Sequence, residues 1–138
     1  MIILDTNVLS ELMRPEPEAV VLQWMAAQTD ALYVTALSYA EILLGIDLLP
    51  QGQRRQRLGE QASAMFTEDF AGRILGFDGA TAPAYAVLVG ARQRAGQHLN
   101  PVDGMITAIA HVHGAAIATR DRDFAGCGVP LINPWQAS

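Results

Sequence analysis

The sequence predicts an α/β fold in which a central, mostly parallel sheet is flanked by helices. Three observations lead there. The apolar stretches Ile2-Ile3-Leu4 and Ala115-Ala116-Ile117-Ala118-Thr119 show no alternation of polar and apolar positions, the pattern of strands covered on both faces. Between the first strand and the next strand candidate lie segments of helical spacing, which makes a right-handed parallel crossover the expected connection. The length of 138 residues is that of one domain, large enough to bury roughly two-thirds of the unfolded chain's surface.

Taken in order, Met1 to Leu4 form a strand that runs into Asp5-Thr6-Asn7. Val8 to Met13 reads as a short helix, ended at Arg14-Pro15-Glu16-Pro17 because proline cannot continue the hydrogen-bond ladder. Pro17 and Glu18 start a second helix, with Val20, Trp24 and Ala27 expected on its core side. Ala31 to Thr35 is the next strand. Leu37 to Leu49 is an almost wholly apolar helix, interrupted by Ser38, Glu41, Gly45 and Asp47. Ser38 and Glu41 have the spacing of a capping box. The competing reading aligns Glu41 with Leu37, Leu44 and Leu48 on an apolar side, where its carboxylate needs a cation, a donor or a metal.

After a break at Pro50 and Gly52, Gln51 to Gln61 begins a polar helix carrying Arg54, Arg55 and Arg57. No aromatic residue is interleaved with these arginines, so a solvated face is the plainer reading and a phosphate-contacting rim the alternative. Arg73 to Phe77 is a short strand ending at Asp78, and Ala80 to Ala95 is a helix packing through Tyr85, Leu88 and Val89 and closed by Gly96. Gln97 to Pro101 is loop. Met105, Ile109 and Val112 then mark the buried side of another helix, which Gly114 ends. Asp103 falls in its first turn, where a carboxylate also stabilises the helix dipole by about 0.3 to 1 kcal/mol. Ala115 to Thr119 runs out into Arg120-Asp121-Arg122-Asp123, and Val129 to Ile132 is a last strand before Asn133-Pro134-Trp135.

Composition narrows the chemistry. All nine basic residues are arginine, which excludes Walker-type phosphate loops and Schiff-base catalysis, both dependent on lysine. The net charge of -5 weighs against a nucleic-acid partner, unless the acids are concentrated in a site where two divalent cations would bring it to -1. Cys127 is the sole cysteine; it allows no intrachain disulfide or multi-cysteine zinc site and reads as a loop residue. His111 and His113 are two apart and point to different helix sides, whereas helical zinc pairs sit four apart; His98 stands alone in the loop. Trp24, Tyr33, Phe77 and Tyr85 read as core. No run approaches the ~18 apolar residues of a membrane helix, and no basic region precedes the first apolar stretch. The cytoplasm is the expected location.

Both apolar strands run out at carboxylates, Asp5 directly and Asp121 two residues past Thr119. In one parallel sheet these would share the C-terminal edge, where open α/β sheets bind ligands. Asp103 reaches the same place if the connection before its helix crosses that edge, and Glu41 if its helix leans over the sheet. Four carboxylates cannot cluster unless some are protonated or cations are bound. Mg²⁺ or Mn²⁺, with oxygen ligands, resolves this and suits phosphodiester hydrolysis, where metals activate water and neutralise charge. Asp123 would share this role or stand behind it. Thr6 or Asn7 would hydrogen-bond Asp5 or the scissile phosphate, and Arg120 is the cation beside Asp121. A phosphatase or receiver domain with Asp5 as covalent nucleophile fits poorly, since both want a lysine and the former a second acid two positions on.

Ile3-Leu4-Asp5-Thr6-Asn7-Val8, Ala40-Glu41-Ile42-Leu43-Leu44-Gly45, Asp103-Gly104-Met105-Ile106-Thr107-Ala108 and Thr119-Arg120-Asp121-Arg122-Asp123-Phe124 together resemble PIN-domain ribonucleases, above all the VapC-type toxins of bacterial type II toxin-antitoxin pairs. The motifs follow the family's order and cover nearly the whole chain, implying one PIN-like nuclease domain over residues 1–138. The resemblance implies a Mg²⁺- or Mn²⁺-dependent endoribonuclease that cleaves RNA, forms a homodimer and is held inactive by a cognate antitoxin, often a DNA-binding protein. The family's acidic positions fall on Asp5, Glu41, Asp103 and Asp121, with Asp123 a less regular participant. Gly104 stands where alanine or another small residue is usual, and the Asn133-Pro134-Trp135 ending resembles one branch of these toxins. The alternative is an inactive scaffold that keeps the fold to bind RNA or a partner.

Overall fold

Residues 1–136 are described by the computed structural model. The strand that opens the chain, β1 (Ile2–Leu4), lies at the centre of a five-stranded sheet. Its order is β3-β2-β1-β4-β5, with β2 Leu32–Thr35, β3 Ile74–Leu75, β4 Ala116–Ala118 and β5 Leu131–Ile132. Every pairing is parallel: Ile2 and Ile3 face Leu32 and Tyr33 on one side and Ala116 and Ile117 on the other. The chain winds outward from β1 through β2 to β3, then returns to the opposite side of β1 with β4. This reversal opens a crevice at the C-terminal ends of β1 and β4, where a doubly wound sheet takes its ligand.

The helices are α1 (Thr6–Leu12), α2 (Ala19–Ala27), α3 (Ala36–Asp47), α4 (Gln53–Ala64), α5 (Ala82–Arg94) and α6 (Pro101–His113). They cover both faces of the sheet, which is why the strands lack alternation. Ile2 and Leu4 point into a core with Val8, Leu9, Val21, Trp24, Ile42 and Phe66. Ile3 points the other way, into one with Ile106, Ile109, Ile117 and Phe124. Among the described residues no helix is long and apolar enough to cross a membrane.

Several sequence expectations shift. On α2 the buried side carries Val21 and Trp24, with Val20 half-buried and Ala27 exposed. In α6 the segment Ile106 to Ala110 is buried on all sides, so Val112 ends 41% exposed; the helix is wedged between sheet and α5, and periodicity cannot mark one face. Gly104 faces α5 so closely that a Cβ would lie 2.9 Å from Val89 Cγ2 and 3.1 Å from Tyr85 Cε2. That packing explains glycine where alanine is usual. Gly114 ends α6 in the left-handed conformation, at φ 63°. A π-helical turn at Met65–Asp69, with no sequence signal, brings Phe66 into a stack on Tyr39, ring centroids 4.0 Å apart.

The cap of α3 is Thr35, whose hydroxyl accepts the Ser38 N–H at 3.1 Å. Ser38 therefore lies inside the first turn, buried, and the expected Ser38–Glu41 capping box does not form. The Leu37, Glu41, Leu44, Leu48 line is not a buried side either: Leu44 is 59% and Leu48 74% exposed, and the helix packs instead through Ser38 and Ile42.

Candidate active site

Asp5 follows β1, its N–H bonded to Ala118 O of β4 at 3.0 Å. Its carboxylate is thereby set in the crevice between the two strands, only 5% exposed. Thr119, which ends β4, holds it there: the Thr119 hydroxyl donates to Asp5 Oδ2 at 2.8 Å and accepts the Asn7 amide at 3.0 Å and the Asp121 N–H at 3.0 Å. Asn7 Nδ2 also donates to Asp5 Oδ2, at 3.1 Å. One threonine thus spends its proton and both lone pairs in joining the chain's beginning to the segment that carries Asp121. In the sequence Thr119 stands out only as a strand end and the first residue of the Thr119-Arg120-Asp121-Arg122-Asp123-Phe124 motif; its hold on Asp5 comes from the pairing of β4 with β1.

Asp121 caps a short 3-10 turn, Arg122–Phe124, by accepting the Asp123 N–H on Oδ1 at 2.9 Å. Asp103 arrives from the first turn of α6, which Asn100 caps through the Val102 N–H at 2.8 Å. Because α6 runs back along the sheet into β4, its N-terminus lies over the C-terminal edge. Side-chain oxygens of Asp103, Asp121 and Asp123 come within 4.8 Å of one another. Asp5, Glu41, Asp103 and Asp121 border one cavity of about 600 Å³, together with Thr6, Asn7 and Arg120. Glu41 reaches it from α3 and accepts the Thr6 hydroxyl at 2.9 Å; Thr6 also bonds the Ser38 hydroxyl at 2.8 Å. The acids expected from sequence are therefore neighbours, and Asp123 belongs to the tightest trio among them.

Arg92 of α5 supports this arrangement from behind. Its guanidinium donates to Ala125 O at 2.8 Å, Asp123 O at 3.1 Å and His98 O at 3.5 Å, tying the loop before α6 to the segment after β4. Nothing in the spacing of the sequence distinguishes it from the other arginines.

The electrostatics follow from burial first and from the neighbouring acids second. Burial raises the pKa of Asp5, the Thr119 and Thr6 hydrogen bonds lower it, and Asp121 and Glu41 raise it further; the net shift is upward. Asp103 is pushed up to about 6, chiefly by burial and then by Asp5, Asp121, Glu41 and Asp123. The neighbours that hold Asp5 are neutral donors, and no ion pair among the described residues engages these acids. Asn7 Oδ1, next to Asp5, is buried without a hydrogen-bond partner. A set of anionic oxygen donors with unmet charge and a free acceptor fits a hard divalent cation with its bound water. His98, His111 and His113 are exposed, and Cys127 is buried in its loop.

Comparison with known proteins identifies the family and the fold. A family model described as PIN domain matches residues 2–128. VapC ribonuclease Y4jK of Sinorhizobium fredii is 39% identical over 138 residues, 99% of each chain. Toxin FitB of Neisseria gonorrhoeae is 38% identical over 137 residues, 98% of this chain and 99% of FitB. The crystal structure of FitAcB from Neisseria gonorrhoeae superposes with a TM-score of 0.87 at 35% identity, covering 99% of this chain and 100% of that one.

Proposed function

The chain belongs to the PIN-domain family, and from that premise we propose that it is a Mg²⁺- or Mn²⁺-dependent endoribonuclease, the toxin of a toxin-antitoxin pair, acting as one domain in the cytoplasm. The observation that carries this reading is the convergence of Asp5, Glu41, Asp103, Asp121 and Asp123 without a cationic partner, where burial and then the neighbouring acids push Asp103 up to about 6. Identity to a named VapC ribonuclease supports it.

Asp103, Asp121 and Asp123 would hold the cation, with Asp5 and Glu41 as further ligands. When bound, it would supply activation of the attacking water and neutralisation of charge on the phosphate. The chain's own groups do the positioning. Thr119 and Asn7 fix the Asp5 carboxylate, Thr6 fixes Glu41, and Arg92 fixes the segment bearing Asp121 and Asp123. Arg120 contributes a guanidinium suited to a backbone phosphate.

The test is cleavage of single-stranded and structured RNA with Mg²⁺ or Mn²⁺, against an EDTA control and Asp5→Asn. EDTA should abolish cleavage, and Asp5→Asn should reduce it about a hundredfold or more, beyond the usual loss for groups that merely support ligands. Equal cleavage by wild type and variant would sink the site assignment, and no cleavage by the wild type would leave an inactive binding module.

The proposed partners are a second copy of the chain and a cognate antitoxin. Leu43 and Leu44 on α3 and Leu48 at its C-terminal end, all exposed, offer the apolar surface that such a helix contact requires. A monomer by light scattering, with no complex on co-expression with the neighbouring reading frame, would count against this.

A further inference from the structure

Two arginines border the acidic cavity, and they are held differently. Arg14 is engaged: its Nη1 donates to both Glu11 oxygens, at 3.0 and 3.2 Å. Arg120 lies between Thr119 and Asp121, beside the acids, yet no ion pair involves it among the described residues. Its guanidinium carbon sits 4.3 Å from the centroid of the Trp135 ring. An arginine next to a cluster of carboxylates would ordinarily swing onto one of them. Stacked on an indole, it is kept at the rim, where it leaves the acids free for a cation and keeps its in-plane N–H donors available.

Trp135 is itself fixed. Its backbone N–H donates to Asn133 Oδ1 at 3.0 Å, Pro134 before it is buried, and the ring packs against the hydrophobic core that contains Val8 and Leu9 of α1. The segment continues from β5, which pairs with β4 and receives the Thr119 N–H on Ile132 O at 2.8 Å. The indole and the residue it stacks on are thus carried by adjacent strands, at the edge where Asp121 emerges.

We propose that Trp135 is a positioning residue that holds the Arg120 guanidinium over the acidic cavity, so that Arg120 meets a backbone phosphate of the RNA. This rests on the nuclease reading above and gives the Asn133-Pro134-Trp135 ending a role in substrate binding.

The experiment is steady-state cleavage of a fluorophore-labelled, mixed-sequence single-stranded RNA with Mg²⁺. Trp135→Leu should raise KM about two- to five-fold with kcat little changed, the worth of one cation–π contact, and Trp135→Phe should keep most of the wild-type KM. Arg120→Met should raise KM about tenfold or more, as for a lost hydrogen bond to a charged group. In the Arg120→Met background, Trp135→Leu should have no further effect. An unchanged KM in Trp135→Leu, or an equal loss in both backgrounds, means that Trp135 only packs, and overturns the proposal. Trp24→Phe leaves Trp135 as the sole tryptophan, whose fluorescence should respond to the same RNA in EDTA and lose that response with Arg120→Met. If the fluorescence responds in this way but wild type cleaves nothing, the nuclease reading falls and the positioning role stands. If neither signal appears, both fall.

Discussion

Asp5 and Glu11 lie six residues apart, at the two ends of α1, and both are buried, at 5% and 3% exposure. Their pKa values move in opposite directions. For Glu11, burial pushes upward, but the Glu18 N–H at 3.1 Å and the Arg14 guanidinium outweigh it and the net shift is downward. Asp5 meets neutral donors and other acids, and its shift is upward. A buried carboxylate given a cation and a backbone donor is a completed structural element. One given a hydroxyl, a side-chain amide, a backbone N–H and more carboxylates but no cation has its charge left unmet, and a site with unmet charge is one that a ligand can stabilise.

The largest break between these regions is in cleavage, through the hundredfold loss expected of Asp5→Asn. Next is the response to cation. Asp103 has a folded-state value of about 6 against an ordinary 3.8. Its contribution to the stability of the metal-free protein is therefore fully present below about pH 4 and is lost as pH rises through about 6. Mg²⁺ or Mn²⁺ binds the ionised form, so the rise in Tm that it produces should be absent near pH 4 and grow between pH 4 and 7. At a hundredfold excess over Kd it approaches about 2.7 kcal/mol. A shift in Tm independent of pH over that window would show that the cation binds elsewhere.

The smallest effect sharpens the comparison most directly. In EDTA at pH 7, Asp5→Asn should stabilise the protein, because it removes an ionised group that folding disfavours. Glu11→Gln should destabilise it, because it removes one that folding favours. Both changes should fall within the ~0.5–3 kcal/mol usual for single substitutions. The gap between the variants should narrow as pH falls, because the raised pKa of Asp5 lets it take up a proton earlier in the folded state and the advantage of ionised Glu11 declines below its ordinary 4.5. Urea unfolding at pH 7 and at pH 4 measures it, and changes of the same sign at pH 7 would refute the contrast.

The acids of the site were legible because strand ends and helix starts are written locally. Asp5 after Leu4 and Asp103 after Pro101 are visible as positions in elements, and a doubly wound sheet brings such positions to one edge. Their supports were not legible. Thr119 matters because β4 lies beside β1, Arg92 because α5 passes behind the acidic loop, and Glu11 because the chain turns back at Glu18. Each is a contact between residues distant in sequence or folded back on themselves, with no periodic signal. The α3 capping box failed for a related reason: Thr35, at the end of β2, reaches the Ser38 N–H first.

By itself, then, the sequence determined the class of fold, since apolar runs without alternation demand a sheet covered on both faces, and it marked the strand ends and helix starts at which candidate acids stand. Tertiary structure alone decided that the first strand is the central one, that Asp123 joins Asp103 and Asp121, that Glu11 meets a cation while Asp5 does not, and that Trp135 lies under Arg120. The physical reason is range. Burial patterns are set by neighbours along the chain, whereas the charge that a carboxylate meets depends on groups within a few ångströms in space, and only the folded chain places those.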